Sequence, residues 1–204
     1  VQRTLEGVRR ARAACQAVVV LVHSHEIKAA CEEEPDYFLE DFARRCIDAG
    51  ASAVVGSGTH QVQGIEIYNG CPIFYCLGNF FFENDTVEKL PADFLEKYGV
   101  SIHASAQEGL RARAAQATAS LGARRPVYQT VLPRFSLLDG KCAELELLPV
   151  DLGLDGPKWE KGVPRLADAR AAEEICAYLN RVSAPYGTRW RVQGQAIVQT
   201  EGEA

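Results

Sequence analysis

The sequence predicts an α/β fold, and three observations carry that reading. Two short apolar, β-branched runs, Ala17-Val-Val-Val-Leu-Val22 and Ala51-Ser-Ala-Val-Val55, read as strands buried on both faces. The stretch between them, 35–49, places Phe38, Leu39, Phe42, Cys46 and Ile47 on one side at helical spacing. Strand, helix, strand in that order calls for parallel neighbours in a layered sheet. The 204 residues are 47% hydrophobic and 24% charged, enough for a sizeable core and unlike a disordered chain, a collagen or a coiled coil.

The elements follow in order. Residues 2–15 form an amphipathic helix, with Leu5, Val8 and Cys15 inward and Arg9, Arg10 and Arg12 outward. The strand 17–22 comes next. Pro35 opens the following helix, Asp36 and Glu40 suit its first turn, and Gly50 stops it. After the strand 51–55 the pattern changes. Gly64-Ile-Glu-Ile-Tyr68 and Cys71-Pro-Ile-Phe-Tyr-Cys76 flank Asn69-Gly70, the strongest short hairpin signal, because both turn positions need positive φ. Leu77–Phe80 is a loop, and 91–98 and 106–121 are helices. Val127–Leu138 and Lys141–Val150 make a second hairpin across Asp139-Gly140. Leu152–Val163 is a Gly/Pro-rich loop. Residues 168–182 form a helix with Leu166, Ile175, Tyr178 and Leu179 inward, and Trp190–Gln199 closes with short strands.

Composition narrows the function. Lys plus Arg is 22 and Asp plus Glu is 27, a net charge of −5, which disfavours general nucleic-acid binding. No apolar run approaches the roughly 20 residues of a membrane span, and no stretch reads as a signal peptide. The seven cysteines are scattered without a CxxC, which points to small buried hydrophobes in a reducing compartment rather than a disulfide framework. The chain has no Met and opens on Val1, which reads as the C-terminal part of something longer.

Chemistry concentrates at the ends of the two apolar strands. His23 and His25 follow the first, and His60 follows the second after Gly56-Ser57-Gly58-Thr59. Ligands in open α/β sheets sit beyond the carboxyl ends of the strands. In extended backbone, positions 23 and 25 share a face, so both imidazoles can reach one ion or two adjacent ions, with Glu26 adding a carboxylate. Zinc, iron or manganese suits such a set. The glycines flanking Ser57 lack the Lys and spacing of a P-loop, and read as letting backbone pass close to a ligand or metal. Glu66, alternating with Ile65 and Ile67, and Asn79, in Leu-Gly-Asn-Phe, are further candidates; their plain readings are a solvent-facing carboxylate and a turn former. Cys76 reads as a core residue and His103 as solvated. Arg111, Arg113, Arg124 and Arg125, with only Glu108 against them nearby, could form a basic patch for a polyanion or simply a solvated helix face.

Val22-His-Ser-His-Glu26, the run Gly56-Ser-Gly-Thr-His-Gln-Val-Gln-Gly-Ile-Glu-Ile-Tyr68 and Pro72-Ile-Phe-Tyr-Cys-Leu-Gly-Asn-Phe80 together resemble the CapA (PgsA-like) family of capsule and poly-γ-glutamate synthesis. The resemblance is dense from 17 to 83 and continues weakly to Ser183–Thr188. It implies the C-terminal part of a calcineurin-like, metallophosphatase-like β-sandwich flanked by helices, spanning 1–150, with 151–204 as an extension packed on the same domain. It also implies that an N-terminal half bearing an Asp motif and an Asn-His motif lies outside these residues. Carried over, His23, His25 and His60 are metal ligands, and His25 and Glu26 proton-transfer groups. Ser57, Glu66 and Asn79 support them. The cofactor is divalent Mn, Fe or Zn, with two ions in the full-length protein. Ser57 stands where the family has a His, and Cys76 where it has a Ser. The implied function is a metal-dependent hydrolase-type site acting on an anionic polymer or phosphoester. The alternative is a scaffold or polymer-handling subunit with a degenerate site, in a family associated with the cell envelope. Ser57 and the absent half favour an inactive chain when these 204 residues stand alone.

Overall fold

The computed structural model describes residues 1–29, 31–83, 87–116 and 124–200. The α/β class holds. Helix α1 (Gln2–Ala14) leads to strand β1 (Val19–His23), then to a small hairpin of β2 (Ile27–Lys28) and β3 (Cys31–Pro35). Helix α2 (Tyr37–Asp48) follows, started by the Asp36 carboxylate accepting from the Phe38 N–H at 2.9 Å. Strand β4 (Ala53–Ser57) is parallel to β1 and to β6 (Cys71–Phe74), and β5 (Ile65–Tyr68) is antiparallel to β6. The sheet order is β1-β4-β6-β5. Asn69 and Gly70 take positive φ, 51° and 75°, as the hairpin turn requires.

The second sheet is built from the later sequence. Short helices α3 (Ala92–Lys97) and α4 (Ala106–Gln116) precede it; positions 117–121 of the expected second helix lie outside the described residues. Strands β7 (Gln129–Leu138) and β8 (Lys141–Asp151) form the long hairpin, and β9 (Arg165–Leu166) pairs with β8. After helix α5 (Ala169–Ser183), strands β10 (Trp190–Gln193) and β11 (Ala196–Gln199) extend it in the order β10-β11-β8-β7. Residues beyond 150 thus supply strands of this sheet as well as the helix that packs on it.

Two apolar layers hold the sheets. On one side α1 and α2 place Leu5, Val8, Leu39, Ala43, Cys46 and Ile47 against Val54, Ile73 and Tyr75 of the first sheet. On the other, Ile65 and Phe74 meet Val131, Leu147 and Ile197 of the second sheet, with Ile175 and Leu179 of α5. Phe74 and Phe135 approach with ring centres 6.2 Å apart across the gap. Each fully buried side chain of this size contributes about 1.5–3 kcal/mol.

Three expectations are corrected, and one element was not anticipated. Cys15, expected inward on the first helix, lies just past the end of α1 and is exposed. Strand β1 is not buried on both faces: Val18, Val20 and Val22 pack on the helices, but Val19 and Leu21 are 45% and 78% exposed. It is an edge strand, and the second sheet does not cover its outward side chains. Leu166 belongs to the short β9 and is 61% exposed rather than inward. The β2–β3 hairpin was not expected, because three consecutive glutamates do not read as a strand.

Candidate functional site

The parallel pairing of β1 and β4 fixes the site. His23 is the last residue of β1 and lies in register with Ser57, the last of β4. The Ser24 N–H donates to the Ser57 carbonyl at 2.8 Å, so the two chain segments stay side by side as they leave the sheet. Gly58, at φ 131°, sits where an added Cβ would lie 2.1 Å from the Ser24 carbonyl oxygen, and a Cβ on Gly56 would lie 1.9 Å from that of Tyr75. These glycines admit the close approach of neighbouring backbone at the strand ends.

The three histidines come together. His23 Nε2 and His25 Nε2 are 3.1 Å apart, and the His25 and His60 rings are 6.1 Å apart between centres. His23 Nδ1 shares a 2.9 Å hydrogen bond with Ser57 Oγ. His60 holds a positive φ of 65°, uncommon outside glycine. Asn79 sustains it: its Nδ2 donates to the His60 and Val127 carbonyls, each at 3.1 Å, while its Oδ1 lies 2.9 Å from His60 Nδ1. Because the amide nitrogen is committed to two carbonyls, Oδ1 must accept from the ring. His60 therefore carries a proton on Nδ1, which turns Nε2 away from Asn79. Phe82 stands edge-on to the His60 ring at 6.2 Å. Asn79 reaches this position because the 64–76 hairpin, followed by the Val62–Leu77 bridge, turns the chain back.

Other candidates lie apart. The Glu26 backbone N–H donates to Ser24 Oγ at 3.2 Å, and its carboxylate makes no hydrogen bond or ion pair to the histidines among the described residues. The structure does not bring Glu66 to them. It is 8% exposed, between sheet and α2, gripped through both oxygens by Arg44 Nε at 3.1 Å and by the Tyr75 hydroxyl at 2.5 Å. Burial, reinforced by the Glu66 carboxylate, pushes the Tyr75 phenol far up. Cys76 is buried, and its sulfur accepts from the Gly78 N–H at 3.4 Å. His103 is exposed in a turn held by Ser101.

The basic patch is not the free cluster that the sequence suggested. Folding brings Glu32 to Arg124 from 92 positions away, and Arg125 pairs with Asp155. Arg111 and Arg113 stay on α4, with Glu108 beside Arg111. Sequence reading missed Gln61 and Gln63, which are fully buried next to His60, and Arg181. The available signal was the polar pair Gln61 and Gln63 in an otherwise apolar return to the hairpin.

Metal-binding capacity can be judged from the donors. Two imidazole nitrogens bound to one zinc at about 2.0–2.1 Å in tetrahedral geometry lie roughly 3.3 Å apart, close to the observed His23–His25 separation. A structural or catalytic site needs three or four protein ligands. Among the described residues, no group of three or more His, Cys, Asp or Glu is placed to hold an ion. The His23–His25 pair has the spacing of two ligands on one ion, and the described residues do not by themselves complete a metal centre.

Comparison with known proteins places the chain. Residues 1–84 match the family described as Bacterial capsule synthesis protein PGA_cap. Two uncharacterized proteins of Sinorhizobium fredii, y4sH and y4uA, are each 36% identical over 93% of this chain, which spans 42% of their length. The PGA biosynthesis protein CapA of Bacillus subtilis is 42% identical over 33% of the chain and 17% of its own length. The capsule biosynthesis protein CapA of Bacillus anthracis is 38% identical over 26% and 13%. The residues matched by the family model include the strand ends that carry His23, His25 and His60, so over residues 1–84 the chain is similar to the bacterial capsule synthesis family.

Proposed function

We propose that this chain serves capsule polymer synthesis, with poly-γ-glutamate or a related anionic polymer or a phosphoester as substrate, and that His23, His25 and His60 form part of a metal-dependent hydrolase-type site. The observation that carries this reading is the 3.1 Å approach of the His23 and His25 Nε2 atoms at the carboxyl end of a parallel strand pair. Imidazole donors suit divalent zinc, iron or manganese. His25 and Glu26 are assigned proton transfer in this reading, and Ser57 and Asn79 orient the His23 and His60 rings. The remaining ligands would come from sequence outside these 204 residues, as the greater length of the rhizobial relatives allows. The exposed edge of β1 is where such a segment would add.

A second reading is favoured by a specific observation. Ser57 occupies the position in register with His23 and supplies a hydroxyl rather than a ligand nitrogen. A scaffold or polymer-handling role with a degenerate site follows. Zinc and manganese titrations of three proteins separate the readings: this chain, its Ser57→His variant, and a chain extended to the relatives' length. The hydrolase reading expects weak binding in the first, stronger in the second, and stoichiometric tight binding with phosphoesterase turnover in the third. Weak binding throughout, with no turnover, supports the scaffold. Tight binding and turnover in the unmodified chain would show that its site is complete.

A further inference from the structure

Strand β3 reads Cys31-Glu32-Glu33-Glu34-Pro35, and every glutamate in it has a cation. Arg124 pairs with Glu32. Arg181 pairs with Glu33 through two bonds, one of them Nη2 to Oε1 at 3.0 Å. Lys28 of the paired strand lies 3.9 Å from Glu34. Successive side chains of a strand face opposite ways, so the two guanidiniums hold the acidic segment from both sides. They come from 92 and 148 positions away in the chain. Tyr178 accompanies them, its ring 5.0 Å beneath the Arg181 guanidinium and its hydroxyl donating to the Val62 carbonyl at 2.8 Å.

The backbone of the segment is read as well. Gln63 Nε2 donates to the Glu32 carbonyl at 3.0 Å, and Arg124 donates through its second nitrogen to Gln61 Oε1 at 2.9 Å. Gln61 and Gln63 are both fully buried, yet among the described residues Gln61 Nε2 and Gln63 Oε1 have no partner. A buried amide group left unpaired is costly. The hairpin therefore leaves hydrogen-bonding capacity of this cleft unused. It is also weakly secured: a two-stranded sheet is marginal by itself, and partly exposed ion pairs contribute little.

We propose that Arg124 and Arg181, with Gln61 and Gln63, form a cleft that binds an extended oligocarboxylate chain, and that Glu32–Glu34 is its internal occupant, displaced when such a chain binds. The cleft adjoins the histidine cluster through the Gln61–His60 peptide. The proposal rests on the anionic-polymer reading above and adds the place where the polymer is gripped and the strap that guards it. Guanidinium–carboxylate pairing, often bidentate, selects carboxylates over neutral side chains.

The test is fluorescence anisotropy with labelled hexaglutamate on the full 204-residue chain, with hexaglutamine as control. Removing the strap's charges, Glu32→Gln with Glu33→Gln, should tighten hexaglutamate binding by about tenfold, as expected when a competing charge-assisted pair is lost. Adding Arg124→Gln and Arg181→Gln to that variant should abolish the gain. Binding no tighter in the first variant, no loss in the second, or equal binding of hexaglutamine overturns the proposal. Should the first variant fail to fold, hydrogen exchange on the unaltered chain decides. Saturating hexaglutamate should speed exchange at the 31–34 amides, and unchanged exchange overturns the proposal. His23→Ala with His25→Ala should retain hexaglutamate binding, so failure of the metal reading and failure of this one give different results.

Discussion

Asn79 is the residue on which the geometry of His60 turns. The sequence marks it as a turn former; the fold uses the same hydrogen-bonding capacity on a histidine nineteen positions away. Asn79→Ala should cost about 1–2 kcal/mol, because two carbonyls and a ring N–H lose a half-buried partner. It should also release the tautomer. Nitrogen-15 spectra of the unaltered chain should show His60 protonated at Nδ1, and the variant should show a mixture or the Nε2–H form. An unchanged tautomer would refute the latch. Tyr75 makes a second prediction at this scale. Its phenol is pushed up by burial and then by Glu66, so the native state keeps a proton that the unfolded chain releases above about pH 10. The associated stability is whole below that pH and declines above it by about 1.4 kcal/mol per pH unit. Cys46, Cys71, Cys142 and Cys176, also pushed up by burial, add to the alkaline decline from lower pH. Tyr75→Phe should be less stable near neutrality, having lost its bond to Glu66. Its urea midpoint should then fall less steeply than that of the parent above about pH 10. Equal slopes would show that Tyr75 ionises alike in both states.

Elements punctuated by strong local signals were legible in the sequence, and those made by tertiary contacts were not. Asn69-Gly70 and Asp139-Gly140 marked both long hairpins, since positive φ is a local demand that few residues meet. Gly70→Val should therefore destabilise by roughly 1–2 kcal/mol, a β-branched residue resisting the 75° φ; an unchanged unfolding midpoint would mean that the turn tolerates another conformation. The β2–β3 hairpin was illegible because its glutamates are held by Arg124 and Arg181, partners that only the folded chain supplies. The burial of β1 was misread for a related reason. Its composition records what a strand can bury, while its neighbours decide what it does bury, and β4 flanks it on one side only. At the site, the convergence of His23, His25 and His60 followed from strand order. The displacement of Glu66 to the α2 side followed from Arg44 and Tyr75, which no spacing rule connects to it.

Taken whole, the molecule is a helix layer, a mixed sheet and an antiparallel sheet with α5 packed on it, and its layers do not end flush. The second sheet and α5 cover β5, β6 and part of β4, leaving Val19 and Leu21 of β1 exposed beside a strand edge that is unpaired among the described residues. Such an edge is a template for pairing with another chain, and natural proteins blunt it with charge, proline or a covering segment. Here β1 carries Val19-Val-Leu-Val22 with no charge among those four residues. The chain alone should therefore self-associate as its concentration rises, through β1 meeting β1. Leu21→Lys should suppress this, since a lysine on an edge strand penalises stacking against a second copy. The same change should leave the unfolding free energy within about 0.5 kcal/mol, because a side chain 78% exposed has little burial to lose. Sedimentation velocity over a range of concentrations, with urea unfolding of both proteins, measures the two quantities together. If Leu21→Lys associated as readily as the parent, the contact would lie elsewhere. If it unfolded at much lower urea, Leu21 would be packed in solution, and the open edge of β1 would not exist.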